Sequence, residues 1–97
     1  MDQAKVAEEL LGSKSRIRVL QVLSEYGELN ISEVSRRTGL NYTIVERHLL
    51  KLQELGLVNE KRYGKIRIVN VLFKAINFRF EKGGIFKMEI LDSDVER

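Results

Sequence analysis

Val34-Ser35-Arg36-Arg37-Thr38-Gly39-Leu40-Asn41 is the stretch that decides the fold. The spacing predicts a short helix, Ile31 to Thr38, with Ile31 and Val34 turned inward. Gly39 ends it, at a position that calls for a positive φ. Leu40 then plugs the core, and the Asn41 side chain caps a new helix that runs through Leu55. In that second helix Val45, Leu49, Leu52 and Leu55 step by four, three and three, which makes one apolar stripe. Gly56 stops it. A turn this tight crosses two helices steeply.

Upstream, Asp2 to Leu11 is a helix candidate with Val6, Ala7 and Leu10 on one side, broken by Gly12-Ser13. Ser13 can cap a further helix through Tyr26, whose Ile17, Leu20, Leu23 and Val19 recur at helical spacing. Gly27 ends it. Leu29-Asn30-Ile31 is a short extended piece, and Asn30 followed by Glu33 resembles a capping box. Beyond Gly56 the period changes. Leu57 to Arg62 and Lys65 to Val71 are extended runs joined by a turn at Tyr63-Gly64, with Ile66 and Ile68 inward and Arg67 on a wet face. In the last third Ile76, Phe78 and Phe80 alternate with polar residues, and so do Phe86, Met88 and Ile90. Pairing Phe80 with Phe86, Phe78 with Met88 and Ile76 with Ile90 puts six apolar side chains on one face. Arg79 and Glu89, like Glu81 and Lys87, are then diagonal neighbours. A helix from Asn70 to Lys82 competes for the same segment but leaves Phe78 badly placed.

These elements amount to an α+β fold: a winged helix-turn-helix of three to four helices plus a β-hairpin wing, with an additional C-terminal β-hairpin. One domain is expected over 1–97, with its core at 12–71, the C-terminal hairpin at 72–91 and a frayed tail at 92–97. In this geometry the second helix of the pair can lie in a major groove while the first crosses the phosphate backbone.

The run Leu40-Asn41-Tyr42-Thr43-Ile44-Val45-Glu46-Arg47-His48-Leu49-Leu50-Lys51-Leu52-Gln53-Glu54-Leu55-Gly56-Leu57-Val58 resembles the recognition-helix signature of ArsR-like and MarR-like winged-helix transcriptional regulators. Their usual form is L-S-x-x-T-V-S-R-H-L-x-x-L-x-x-x-G-L-V. Gly12 to Gly39 is similar to the helices that precede it, so the resemblance covers about residues 12–71. It implies a DNA-binding regulator. The sequence departs from the family in three places. It has no Cys, which excludes thiolate metal sensing. Glu46 stands where Ser is usual. The 72–91 segment does not look like the family's C-terminal dimerisation helix.

The 97 residues suit a single domain, and 43% hydrophobic with 32% charged residues suits a folded soluble chain. No disulfide or Cys-based zinc site can form, and the single His48 excludes a multi-histidine metal site. No apolar run approaches the ~20 residues of a membrane span. Met1 to Leu11 carries Asp2, Glu8 and Glu9 and lacks a signal pattern, so a cytoplasmic location is expected. The net charge is only +3, but its distribution is uneven. Lys61, Arg62, Lys65, Arg67, Lys74, Arg79 and Lys82 sit in the middle. The acids Asp2, Glu8, Glu9, Glu89, Asp92, Asp94 and Glu96 gather at the ends. That pattern suggests one positive face suited to a polyanion.

The expected function is a sequence-specific double-stranded DNA-binding transcriptional regulator. Helix 41–55 would enter the major groove, and the wing 57–71 would lie on the adjacent backbone or minor groove. Tyr42, Thr43 and Arg47 are the candidate groove contacts, and Arg47 has the geometry to donate twice to guanine. Glu46 could accept from cytosine but repels phosphate. Arg62, Tyr63 and Lys65, extended by Lys61 and Arg67, are the wing candidates. Lys14, Ser35, Arg36 and Arg37, with Ser15 or Ser32, could hold the backbone. At each position the alternative is a solvated polar surface or an edge charged against sheet pairing. His48 is expected to be a packing residue. Phe78, Phe80, Phe86 and Met88 are expected either at a homodimer interface or in the domain's own core. No cofactor, metal or catalysis is expected, since no nucleophile set or phosphate-binding glycine loop is present. The competing function is a winged-helix protein-interaction module or an accessory subunit of a nucleic-acid-processing complex. The Glu46 carboxylate and the apolar hairpin favour that alternative and make a protein partner conceivable.

Overall fold

Each of the later three helices starts where a side-chain oxygen accepts a backbone N–H three residues ahead. Ser13 accepts from Arg16, Asn30 from Glu33 and Asn41 from Ile44. The computed structural model describes residues 3–92. In chain order it contains α1 (Gln3–Leu11), α2 (Lys14–Tyr26), β1 (Glu28–Asn30), α3 (Ile31–Thr38), α4 (Tyr42–Glu54), β2 (Val58–Tyr63), β3 (Ile66–Val71), β4 (Phe73–Glu81) and β5 (Ile85–Asp92). The expected helix start at Asp2 and the tail beyond Asp92 lie outside the described residues. Asp92 itself is not frayed: it pairs with Phe73 in the ladder.

The turn between α3 and α4 is built as its sequence requires. Gly39 adopts φ 75°, ψ 8°, the left-handed conformation that costs a side chain free energy. Thr38 Oγ1 donates to the Val34 carbonyl at 2.8 Å and accepts from Leu40 N at 3.2 Å. Ser35 Oγ donates to the Leu40 carbonyl at 2.6 Å. Thr38 is buried, so these bonds are shielded from water.

The main core lies between α2, α3, α4 and a three-stranded antiparallel sheet of order β1-β3-β2. Val19, Leu23, Ile31, Val34, Val45, Leu52, Leu57 and Val69 are almost wholly buried. Each such side chain contributes about 1.5–3 kcal/mol relative to an exposed one. Ile17, expected on the core face of α2, is 38% exposed and sits at the rim of a groove instead. It lies on the side of α2 turned to the groove shared with α1 and β4.

Two expectations for the wing are corrected. Tyr63 pairs with Ile66, so the two-residue turn is Gly64-Lys65 rather than Tyr63-Gly64. Gly64 has φ 61°, and among the described residues no non-glycine residue has positive φ. A turn with glycine alone at its first central position satisfies both facts. The faces of β3 are also the reverse of the expectation. Val69 is buried and Ile66 is 55% exposed, so Arg67 shares the inward-facing row with Val69 and Val71. As the central strand, β3 is apolar on both faces, and Ile66-x-Ile68 does not mark the core.

β4 and β5 form a separate two-stranded sheet in the expected register: Ile76 with Ile90, Phe78 with Met88, Phe80 with Phe86. The competing helix over 70–82 is not formed. Arg79 pairs with Glu81 on its own strand at 2.7 Å rather than with Glu89. α1 lies on this hairpin, and Val6, Ala7 and Met88 form a second buried cluster with Ile76, Phe78, Phe86 and Leu55 around it. α1 is further clamped by Arg16, which donates to the Glu9 carbonyl at the helix's C-terminal end, where carbonyls lack partners. Only Leu72 separates β3 from β4. Its N–H donates to the Leu57 carbonyl at 3.0 Å, and the Val71 N–H donates to the Gly27 carbonyl at 3.0 Å.

Candidate nucleic-acid interface

α4 presents its polar side chains on the face turned away from its core stripe. Val45, His48, Leu49 and Leu52 are buried, while Tyr42, Thr43 and Arg47 are exposed. Its first turn carries no acid, so its N-terminal N–H groups and dipole offer an undiminished positive end. Leu50, not anticipated from the sequence, is 61% exposed one turn beyond Arg47 on this outer side. Nothing in the apolar stepping flags it, because it stands beside Leu49 in an apolar run.

The wing is held against α4 by one guanidinium. Arg67 Nε donates to Glu60 at 2.6 Å and Nη2 to the same carboxylate at 3.2 Å. Its Nη1 donates to Glu46 and lies 3.5 Å from the Tyr42 hydroxyl. Arg62 approaches Glu60 at 4.0 Å. The Arg67 hydrogen bonds hold the Glu60 carboxyl below the usual carboxylate range, and Glu60 and Glu46 together push the Arg67 guanidinium further toward its charged form. Glu46 is therefore not a bare acid on the outer face of α4, and Arg67 is not a loose wing cation. The two brace the helix to the hairpin across 21 positions of sequence. Further out, Lys61, Arg62, Tyr63 and Lys65 are exposed.

On α3 the basic pair is only partly available. Glu33 accepts from Arg36 and sits 3.0 Å from Arg37 Nε. The Arg36 hydrogen bond holds its carboxyl below the usual range. The anticipated capping box is therefore half formed: the Asn30 side chain accepts from Glu33 N, but the Glu33 carboxylate turns to the arginines. Arg37 also stacks over the Tyr26 ring at 4.4 Å and donates to its hydroxyl at 2.6 Å. The Ser35 hydroxyl hydrogen is directed to the helix-turn-helix turn and not outward. Lys14 and Ser32 are exposed and Ser15 is half-buried. Sequence reasoning missed Tyr26 and Thr38. Neither has a sequence signal, since each acts through a partner on another turn or element.

His48 is buried on the inner side of α4 with Nδ1 lacking a hydrogen-bond partner. Burial, then the Arg16 and Arg47 charges, hold its pKa below the ordinary 6.5. Of the four hairpin residues expected at an interface or in the core, Met88 is 2% exposed beneath α1. It offers no surface to another molecule. Phe78 and Phe86 are half-buried, and Phe80 is 78% exposed, stacked on Phe86 at 4.7 Å.

Comparison with known proteins adds to this geometry. The family model described as bacterial regulatory protein, arsR family, matches residues 13–60. The uncharacterised HTH-type transcriptional regulator YuzN of Bacillus subtilis is 35% identical over 65 residues, covering 61% of this chain and 71% of that protein. Among solved structures, one similar domain is the homodimeric winged helix-turn-helix DNA-binding domain of Mb0332 from Mycobacterium bovis, described as a possible ArsR-family transcriptional regulator. It is 27% identical with a TM-score of 0.64, over 72% of this chain and 64% of that one. HlyU from Vibrio cholerae is 26% identical with a TM-score of 0.63, over 71% of this chain and 72% of that one. No helix among the described residues is long and apolar enough to cross a membrane.

Proposed function

The chain belongs to the ArsR-like winged helix-turn-helix transcriptional regulators, and from that premise we propose how this DNA-binding regulator engages its duplex. α4, with its caps Asn41 and Leu55, enters the major groove with its N-terminal end leading. Arg47 and Tyr42 meet base edges or the flanking phosphates, and Thr43 sits at the same surface. The wing, over 57–71, lies on the adjacent backbone or minor groove through Arg62, Tyr63 and Lys65, with Lys61 behind them. Lys14, Arg36 and Arg37 hold the backbone on the far side. Glu46 and Arg67 act as a brace that fixes the angle between helix and wing, and not as base-reading groups. The observation that carries this reading is that brace. It neutralises Glu46, the acid nearest the N-terminal end of α4, and sets helix and wing side by side, with the remaining exposed cations outward.

The chain works as a homodimer on a two-fold-related site, with the C-terminal hairpin as the pairing element, in the cytoplasm and without catalysis. The homodimeric state described for the Mycobacterium bovis domain supports that assembly. The test is fluorescence anisotropy with a random-sequence duplex across several salt concentrations. Binding is expected to weaken with salt at a slope of about −0.9 per neutralised phosphate. Arg47→Ala and Arg62→Ala are each expected to weaken it, with the slope shallower by about one for a lost phosphate contact. A parent protein that binds no duplex at about 50 mM salt would sink the proposed mode.

A further inference from the structure

Leu50 is 61% exposed, more than any other large aliphatic side chain among the described residues. An exposed leucine by itself says little, since much of any protein surface is apolar. Its place on α4 says more. Leu50 stands two helical turns after Thr43, so the two lie on one line along the helix to within about 20°. Arg47 lies between them, one turn before Leu50 and to one side. Thr43, Arg47 and Leu50 are all exposed, while Val45, His48, Leu49 and Leu52 are buried on the side turned to the core. A helical side chain leans toward the N-terminus of its helix, so Leu50 covers the surface over the preceding turn, beside Arg47. The charges around it are engaged. Glu46 accepts from Arg67, and Lys51 Nζ lies 3.4 Å from Glu54 and 3.6 Å from Glu9. Leu50 is the only exposed residue of α4 whose side chain carries no polar atom.

We infer that Leu50 reads thymine: its side chain packs on a thymine C5-methyl in the major groove. This rests on the reading above, in which α4 lies in that groove, and it names one base preference within it. The chemistry leaves a single choice. Leucine can neither donate nor accept a hydrogen bond. Base edges in the major groove present donors and acceptors, and the one apolar group among them is the thymine methyl. A leucine pressed on any other base edge strips water from a polar group without replacing its hydrogen bond. Over the methyl, two apolar surfaces leave water together. The reach also fits. Thr43 and Leu50 are about 10 Å apart along the helix axis, roughly three base-pair steps of about 3.4 Å. A single aliphatic side chain among charged neighbours is too small a patch to anchor a protein interface of roughly 1,200 Å² or more.

The parent chain is used to select a preferred duplex from a random pool. Each thymine of that duplex is then replaced in turn by deoxyuridine, which lacks only the C5-methyl. Affinities are measured by fluorescence anisotropy for the parent, Leu50→Ala and Arg47→Ala, with circular dichroism as a folding control. The expected result is at least one thymine whose replacement weakens the parent about fourfold, the size of one buried methyl group. That effect vanishes in Leu50→Ala, which binds the thymine duplex more weakly than the parent. A parent indifferent to deoxyuridine at every position, or a Leu50→Ala protein that keeps the full deoxyuridine effect, overturns the methyl contact. If Arg47→Ala still weakens binding to the selected duplex, α4 in the groove stands without it. A selection that returns no preferred duplex, with Arg47→Ala binding random duplex as tightly as the parent, overturns the placement of α4 and the methyl contact with it.

Discussion

The two β-hairpins of this chain share a topology and have opposite chemistry. The wing, β2–β3, begins in the core at Val58 and Val69 and runs outward into Arg62, Tyr63 and Lys65. Its exposed end is charged, a third strand holds its base, and the Arg67 brace ties the part nearer the turn to α4. The C-terminal hairpin, β4–β5, alternates apolar and polar residues along its length. α1 covers its middle at Met88 and leaves its tip, Phe80, bare. A two-stranded sheet is marginal by itself, so each hairpin is stable only through what packs on it. For the wing that support is α4 and β1; for the other it is α1, reinforced by whatever covers the tip.

Substitutions at matched places should separate the two. Met88→Ala removes the side chain on which α1 rests and should cost about 2–5 kcal/mol in urea unfolding, a core-sized loss from a strand of a two-stranded sheet. A loss as small as that of a surface residue would mean that α1 and the hairpin do not share a core. Arg67→Ala leaves Glu46 and Glu60 side by side without their cation. Because Glu46 is more than a third exposed, the loss in stability should be modest, about 1 kcal/mol. Arg62→Ala, on β2 directly across the ladder from Arg67, should leave stability unchanged within about 0.5 kcal/mol and alter only duplex affinity. If the two arginines behave alike in unfolding, the brace is not structural. Phe80→Ser should also change single-chain unfolding by no more than about 0.5 kcal/mol, despite removing an aromatic ring, because that ring is not buried within the chain.

His48 supplies a pH arm to the same comparison, on the side of α4 near Arg16 of α2. Burial lowers its folded pKa below 6.5, so as pH falls the unfolded chain takes up the proton first. The contribution to stability is complete above the unfolded value and declines as pH drops below it. Urea midpoints taken at about pH 7.5 and about pH 5.5 should fall in the parent and fall less in His48→Gln. Equal declines in both would place the sensitivity at another group, and not at Glu60. Its lowered pKa makes its contribution vanish only at more acidic pH.

What could be read from the sequence depended on how many meanings a local pattern allowed. The helix-turn-helix was legible because Ser13, Asn30, Asn41 and Gly39 each have a single structural use at their positions. The C-terminal register was legible because only one pairing puts six apolar residues on one face. The wing was not. β3 is apolar on both sides, so Ile66-x-Ile68 and Val69-x-Val71 offer two equivalent faces, and the choice between them reverses the role of Arg67. The glycine at 64 suited either of two turns. The functional surface was legible as a set of cations on the right elements. Which of them are already engaged was not, because Glu46 and Arg67, or Tyr26 and Arg37, meet only in three dimensions.

The joint at Leu72 has a mechanical consequence. The strand that ends the wing and the strand that begins the hairpin are separated by one residue, and backbone hydrogen bonds from it and from Val71 before it anchor the joint. No slack exists there to absorb a twist, so the two arms act as the ends of a stiff lever. In a pair of chains joined through their hairpins, the span between the two recognition helices would be a fixed length written in backbone. Such a protein measures the spacing of its half-sites like a caliper and does not stretch to meet them.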